Sequence, residues 1–199
     1  MPTIKELDAL QPAMTKWRHA LHEKPEIAFE EKWTSDYIAE KLESFGIEIH
    51  RGLAKTGIVG VVRGNVPGNR AIGLRADMDA LEIEEDNTFS HRSQHPGKMH
   101  ACGHDGHSVM LLGAAKHLAA NPDFAGTVYL IFQPAEENEG GARVMIEEGL
   151  FDRFSMEAVY GMHNAPGLAV GQLHLRDGPM LAGFDIFDIE IQGKGAHAA

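Results

Sequence analysis

Apolar residues recur in the first part of the chain at Ile4, Leu7, Leu10, Met14, Trp17 and Leu21. Steps of three and four put them on one side of a helix, so an amphipathic helix is predicted from Ile4 to Leu21. Pro25 in "EKPEIAFEE" interrupts that rhythm. A second helix is predicted over Lys32 to Phe45, with Gly46 as its C-terminal stop. "GIVGVVRG" (57–64) and "RAIGLRAD" (70–77) read as strands, with "VPGN" as a turn between them. Residues 82–101 are polar, histidine-rich and without period, which predicts a long loop of the kind that often carries function. A helix follows from about Asp105 to Leu118, with Val109, Leu112 and Ala115 on one face. "GTVYLIF" (126–132) is apolar throughout, as a strand covered on both sheet faces should be. "GGARVMIEEG" predicts a short helix ending at Gly149, and "EAVYGMH" and "GQLHLRD" predict two more strands. Helices and strands in this order predict an α/β sandwich built on a mixed sheet. Near Gly183 the rhythm changes: "FDIFDIEIQGKG" alternates like the first strand of a new sheet. A domain boundary is therefore expected at about 182, dividing the chain into residues 1–182 and 183–199.

Composition narrows the class. The 199 residues are 43% hydrophobic and 24% charged, a globular balance long enough for one substantial core. No apolar run reaches the roughly 18 residues needed to span a bilayer, and "MPTIKELDAL" has neither the basic start nor the apolar stretch of a secretory signal. The formal charge of −11, with no block of Lys and Arg, argues against nucleic acid and anionic membranes as partners. A single cysteine cannot form an internal disulfide, so a cytoplasmic location is expected.

Five short stretches carry candidate chemistry. In "RADMDAL", Asp77 and Asp79 follow a strand at i, i+2, where they share a face if the strand continues. "MHACGHDGH" holds Cys102 and His104 at the entry to a helix, with His107 one turn on. Short Cys/His spacing across a glycine suits a metal ion, but Cys102 also fits a nucleophile with a histidine base, or a buried thiol. In "QPAEENEGGA", Glu136 and Glu137 follow a buried strand at its carboxyl end. Adjacent residues of an extended chain point to opposite sides, so one carboxylate would face a metal and the other a substrate. His163 in "GMHNAPG" ends another strand. Ligands in open α/β sheets bind beyond the carboxyl ends of strands, which raises the weight of all these positions together. Thiol, imidazole and carboxylate as one donor set favour zinc, manganese, cobalt or nickel over calcium or magnesium. The fifth stretch, "GKGAHAA", sets His197 among small residues, and spacing assigns it no role.

"RHALHEKPEIAFEE", "RADMDAL", "MHACGHDGH", "QPAEENEGGA", "GMHNAPG" and "GKGAHAA", in that order, resemble the M20 metallopeptidase family. The likeness is strongest to its amidohydrolase branch of hippurate hydrolases, N-acyl-amino-acid deacylases and auxin-conjugate hydrolases. It runs over nearly the whole chain, and "MHACGHDGH" followed by "QPAEE" is its most specific part. The resemblance implies metal-dependent hydrolysis of the amide in small N-acyl amino acids. It makes Cys102, His104, Glu137 and His163 metal ligands, Glu136 the catalytic base, and Asp79 the aspartate that supports and orients the site. It further implies two divalent ions, a smaller α+β lid domain through which subunits pair as homodimers, and a lid histidine that polarises the substrate carbonyl, the region in which His197 lies. Residues 1–182 then correspond to the N-terminal part of the catalytic domain and 183–199 to the start of the lid. Two departures stand out. Glu82 replaces a usual proline, and the family's later metal-binding histidine has no counterpart in these residues. A cysteine hydrolase, a metal-binding module without catalysis and an inactive fragment are the rival readings.

Overall fold

The computed structural model describes residues 5–137, 139–183 and 185–197. Helices α1 (Lys5–His22) and α2 (Lys32–Ser44) stand where the apolar periodicity predicts them. Phe45 caps α2, and Gly46 follows at φ 76°, a left-handed conformation that glycine adopts without a Cβ penalty. Strands β1 (Glu48–Leu53), β2 (Gly57–Arg63) and β3 (Val66–Asp77) precede helix α3 (His104–Ala120). Strand β4 (Ala125–Gln133), the short helices α4 (Gly141–Glu147) and α5 (Leu150–Arg153), and strand β5 (Ala158–Gly161) complete the elements.

The strands form one mixed sheet in the order β1-β2-β4-β3-β5. The β1–β2 and β2–β4 pairs are antiparallel, and β3 runs parallel to both β4 and β5. Period-two alternation divides the strands between two cores. Ile58, Val62, Val128, Leu130 and Phe132 face Ile38, Leu42, Leu111 and Leu112 of α2 and α3. Val59, Val61 and Ile131 face Met145, Leu150 and Phe154 on the other side. A sheet with helices on both faces is the sandwich that the sequence predicts.

The parallel run of β3, β4 and β5 brings three carboxyl ends, at Asp77, Gln133 and Gly161, to one rim. The long loop after β3 is tied down there rather than loose. Ala80 N–H donates to the Glu26 carbonyl (2.8 Å), Gln94 N–H to the Glu23 carbonyl (2.9 Å), and Leu81 and Met99 exchange backbone hydrogen bonds at 3.0 Å. His22 links it to α3, meeting Glu85 Oε1 at 3.0 Å and Asp105 Oδ2 at 2.9 Å. Burial pushes the Asp105 carboxyl up, but the His22 hydrogen bond and the nearby His100 and Arg18 outweigh it and hold it at about 2.

Some expectations are revised. "VPGN" is not a turn but the start of β3, because Val66 pairs with Ala125 and Asn65 N–H finds the Pro122 carbonyl (2.8 Å). Strand β1 is an addition to the predicted elements, although Ile47 and Ile49 alternate with polar residues. "GQLHLRD" and the alternating stretch after Gly183 form no strand among the described residues, since no neighbouring strand supplies them with a hydrogen-bonded ladder. The chain divides into two units, Met1–Ala165 and Pro166–Ala199. The boundary expected at about 182 falls inside the second.

Leu130 is fully buried at the centre of the sheet. Leu130→Ala should lower unfolding free energy by about 2–5 kcal/mol, measured by urea denaturation. Asp105, held below its ordinary value, contributes stability that is present above about pH 4 and lost as pH falls towards 2. Asp105→Asn should therefore flatten the acid limb of a stability–pH curve and lower stability near neutrality.

Candidate metal centre

The site is assembled at the rim where β3, β4 and β5 end. Asp77 closes β3, and Asp79 follows in the extended residues beyond it, both side chains buried. Gly103, at φ 93°, turns the chain into α3 so that His104 enters the helix facing inward. A Cβ at Gly103 would lie 2.3 Å from Asn164 Oδ1, so that close approach also requires glycine. His163 and Asn164 follow the end of β5.

His104 is the centre of the cluster. Its Nδ1–H donates to the Asp79 carbonyl (2.9 Å) and to Asp79 Oδ1 (3.0 Å). That fixes the tautomer and leaves the Nε2 lone pair pointing away from Asp79, the arrangement by which a carboxylate orients a metal-binding imidazole. Around Nε2 stand Asp77 Oδ2 at 3.7 Å, Glu137 Oε1 at 3.7 Å and Glu136 Oε2 at 3.9 Å. None of these separations is a hydrogen bond. His104 Nε2 and Glu137 Oε1 are both buried and without a partner among the described residues. Buried polar groups seldom go unpaired; besides Thr34 Oγ1 and both ring nitrogens of His100, the unpaired ones among the described residues are these two, which face each other at 3.7 Å. Their separation lets two ligands, each about 2.0–2.2 Å from a shared divalent ion, meet it together.

Asp79 also fixes the backbone of a neighbouring acid. Its Oδ2 accepts the Glu137 N–H at 3.0 Å, so one carboxylate holds both a histidine and the chain opposite. On the other side Cys102 Sγ lies 3.4 Å from His163 Nε2, whose Nδ1–H donates to the Asn164 carbonyl at 2.8 Å. Ligand atoms of Cys102, His104 and His163 lie within 4.8 Å of one another, as do those of His104, Glu136 and Glu137, and those of Asp77, His104 and His107. The structure thus gathers Cys102 and His163 in one group and Glu136 and Glu137 in another, the two sharing His104, with Asp79 behind it. His197 belongs to the second unit.

Electrostatics point the same way. Burial and then the charge and hydrogen bond of Glu137 push the Cys102 thiol up to about 12, so without a cation it is a neutral thiol and a poor nucleophile. Burial pulls His104 down, but the Asp79 hydrogen bond and the charges of Asp77, Asp79 and Glu137 prevail and raise it. Burial raises Glu136, with Asp77 and Glu137 adding to the effect and His104 opposing it. Carboxylates and a thiolate massed this closely repel one another, and a divalent cation neutralises the set. The residues present therefore fit a metal.

The two acids do not diverge to opposite sides as an extended chain would require. Both approach His104 Nε2, in the segment that follows the left-handed Ala135 (φ 51°). Sequence reasoning also left out parts of the support. Asp77 Oδ1 accepts the His107 Nδ1–H at 2.6 Å, Asp77 Oδ2 accepts Arg75 at 2.7 Å, and His107 Nε2 accepts the Asn164 N–H at 3.0 Å. Burial raises Asp77, yet His107, Arg75 and His104 hold it at about 2. The signals for this relay were Asp77 at the end of its strand and His107 one helical turn after His104.

A mixed α/β sandwich with a donor cluster at the carboxyl rim defines a scaffold fitted to bind metal. The sequence profile described as Peptidase family M20/M25/M40 matches residues 73–198, and the chain belongs to that family. Hippurate hydrolase of Campylobacter jejuni is 46% identical over 100% of this chain and 51% of its own length. N-acetyl-L-cysteine deacetylase of Bacillus subtilis is 46% identical over 99% of this chain and 48% of its own. A crystal structure from Bacillus subtilis, described as a dinuclear metal binding peptidase from the M20 family, superposes with a TM-score of 0.78 at 40% identity, covering 82% of this chain and 45% of that one. The chain spans about half the length of the curated relatives it matches.

Asp79→Ala removes the group that orients His104 and should weaken binding of a divalent metal by about 10–100-fold, read by competition with a chromogenic chelator. In the metal-free chain, alkylation of Cys102 should accelerate with pH only on approach to about 12, well above an ordinary thiol, and metal should suppress it.

Proposed function

We propose that the chain is the N-terminal part of a metal-dependent amidohydrolase that cleaves the amide of N-acyl amino acids. The observation that carries this reading is the buried, partnerless pair His104 Nε2 and Glu137 Oε1, 3.7 Å apart, with Glu136 beside them. Relatives named as hippurate hydrolase and N-acyl-L-amino acid amidohydrolase, at 46% and 44% identity, support the substrate class.

In this reading Cys102, His104, Glu137 and His163 hold two divalent ions, with zinc, manganese, cobalt or nickel favoured by the mixed donors. The ions supply Lewis acidity to water and to the scissile carbonyl. Glu136 accepts the proton of the attacking water on its carboxylate and returns it to the departing amine. Its raised pKa brings it closer to the working pH, which suits transfer in both directions. Asp79 keeps His104 in the tautomer that offers Nε2 and holds the Glu137 backbone. His197 polarises the substrate carbonyl from the lid that begins near residue 183, and pairing of lids makes the homodimer; these two assignments rest on the family resemblance. A cytoplasmic setting keeps Cys102 reduced for coordination. The cysteine-hydrolase reading is opposed by the burial, and then the neighbouring carboxylates, that keep Cys102 protonated.

Glu136→Gln should leave metal content within error of the parent and reduce turnover of N-acetyl and N-benzoyl amino acids by about 10²–10⁴-fold. Glu137→Ala should lower metal content. Equal loss of metal in both variants would contradict the separate roles of base and ligand.

A further inference from the structure

"RHALHEKPEIAFEE" contributes no ligand to the metal centre, yet its last residue, Glu31, is completely buried. One carboxylate oxygen, Oε1, accepts the Ala135 N–H at 2.9 Å. The other, Oε2, accepts the Thr56 hydroxyl at 2.8 Å. One side chain therefore joins the entry to α2, the turn between β1 and β2, and the elbow between β4 and α4.

Backbone strain collects on these same segments. Among the described residues, the non-glycine positions with positive φ are Phe29, Ala54, Lys55 and Ala135, at 60°, 49°, 66° and 51°. Phe29 lies two residues before Glu31, Ala54 and Lys55 immediately precede Thr56, and Ala135 is the hydrogen-bond partner itself. Left-handed conformations at residues with a Cβ persist only where the surroundings over-determine them. At Ala135 the elbow is held from both sides, since its carbonyl accepts the Gly141 N–H at 2.9 Å. Gly141 is fitted to that contact: a Cβ there would lie 1.8 Å from the Pro134 carbonyl oxygen. The next two residues are Glu136 and Glu137, whose oxygens both come within 4 Å of His104 Nε2.

We propose that Glu31 is a positioning residue: by spanning from Thr56 to Ala135 it holds the left-handed elbow from which the chain carrying Glu136 and Glu137 leaves towards His104. The consequence for metal rests on the proposed function above, whereas the consequence for the elbow does not. Reach and hydrogen bonding, rather than charge, carry the effect. Burial raises the Glu31 carboxyl, consistent with a role that a neutral side chain of equal length can fill.

Two conservative variants separate reach from charge. Glu31→Gln keeps the length, an acceptor for Ala135 and a donor for Thr56, but loses the charge. Glu31→Asp keeps the charge and loses one methylene of reach. Residue-resolved hydrogen exchange of the Ala135 amide in the metal-free chain reads the elbow, and cobalt(II) titration, followed by the thiolate-to-cobalt absorption of Cys102, reads the centre. Glu31→Gln should match the parent in both. Glu31→Asp should exchange Ala135 at least about tenfold faster and bind cobalt about 10–100-fold more weakly. The reverse ranking, or no change in either variant, would overturn the proposal. So would a lowered Tm in Glu31→Asp with Ala135 exchange and cobalt affinity intact, which marks a merely structural residue. If the parent chain binds no cobalt, the metal reading fails, and Ala135 exchange still decides the role of Glu31.

Discussion

The centre depends on how one buried carboxylate is shared. Asp79 Oδ1 takes the His104 Nδ1–H and Oδ2 takes the Glu137 N–H, both at 3.0 Å. Each bond does something the other cannot. The first selects an imidazole tautomer and aims Nε2; the second places the chain that carries the acids opposite. Because both run through one rigid group, the histidine and the acids cannot move independently. Burial strengthens the coupling, since a hydrogen bond to an ionised carboxylate inside a protein is stronger than one in water and costly to leave unmade.

That carboxylate is in place because of sheet topology. Parallel pairing of β3 with β4 and β5 sends three strands to one rim, and α3 starts there with His104 in its first turn. An antiparallel neighbour would have sent one of these ends to the far edge. The loop after β3, pinned by His22, Glu85 and the 23–26 segment, carries Cys102 back to the same rim. What results is a set of acids and a thiol whose mutual repulsion a cation relieves. Such conflict among buried groups is the mark of a site built for a ligand rather than for stability.

The roles proposed for the adjacent acids differ with their surroundings. Both come within 4 Å of His104 Nε2 beyond the left-handed Ala135. Glu137 is the more enclosed, at 20% side-chain exposure against 39% for Glu136. The enclosed acid suits a ligand, and the more open one suits proton exchange with a substrate.

The sequence by itself determined most of the elements and the stretches that supply the candidate donors. Steps of three and four specified α1 and α2, unbroken apolar residues specified β4, and glycines marked where helices stop, because these signals act between residues close in the chain. The donor motifs were legible for the same reason: each is a cluster of reactive side chains within a few positions. Only the tertiary structure decided how the motifs share hydrogen bonds. Asp79 meets His104 across 25 residues, His22 meets Asp105 across 83, and Glu31 meets Ala135 across 104. No local pattern encodes such pairs, since they exist only once strand order and burial bring distant segments together. "VPGN" became strand for a similar reason: the carbonyls that receive its hydrogen bonds and those of Asn65 come from residues 122–126, and a partner so distant outweighs local turn preference.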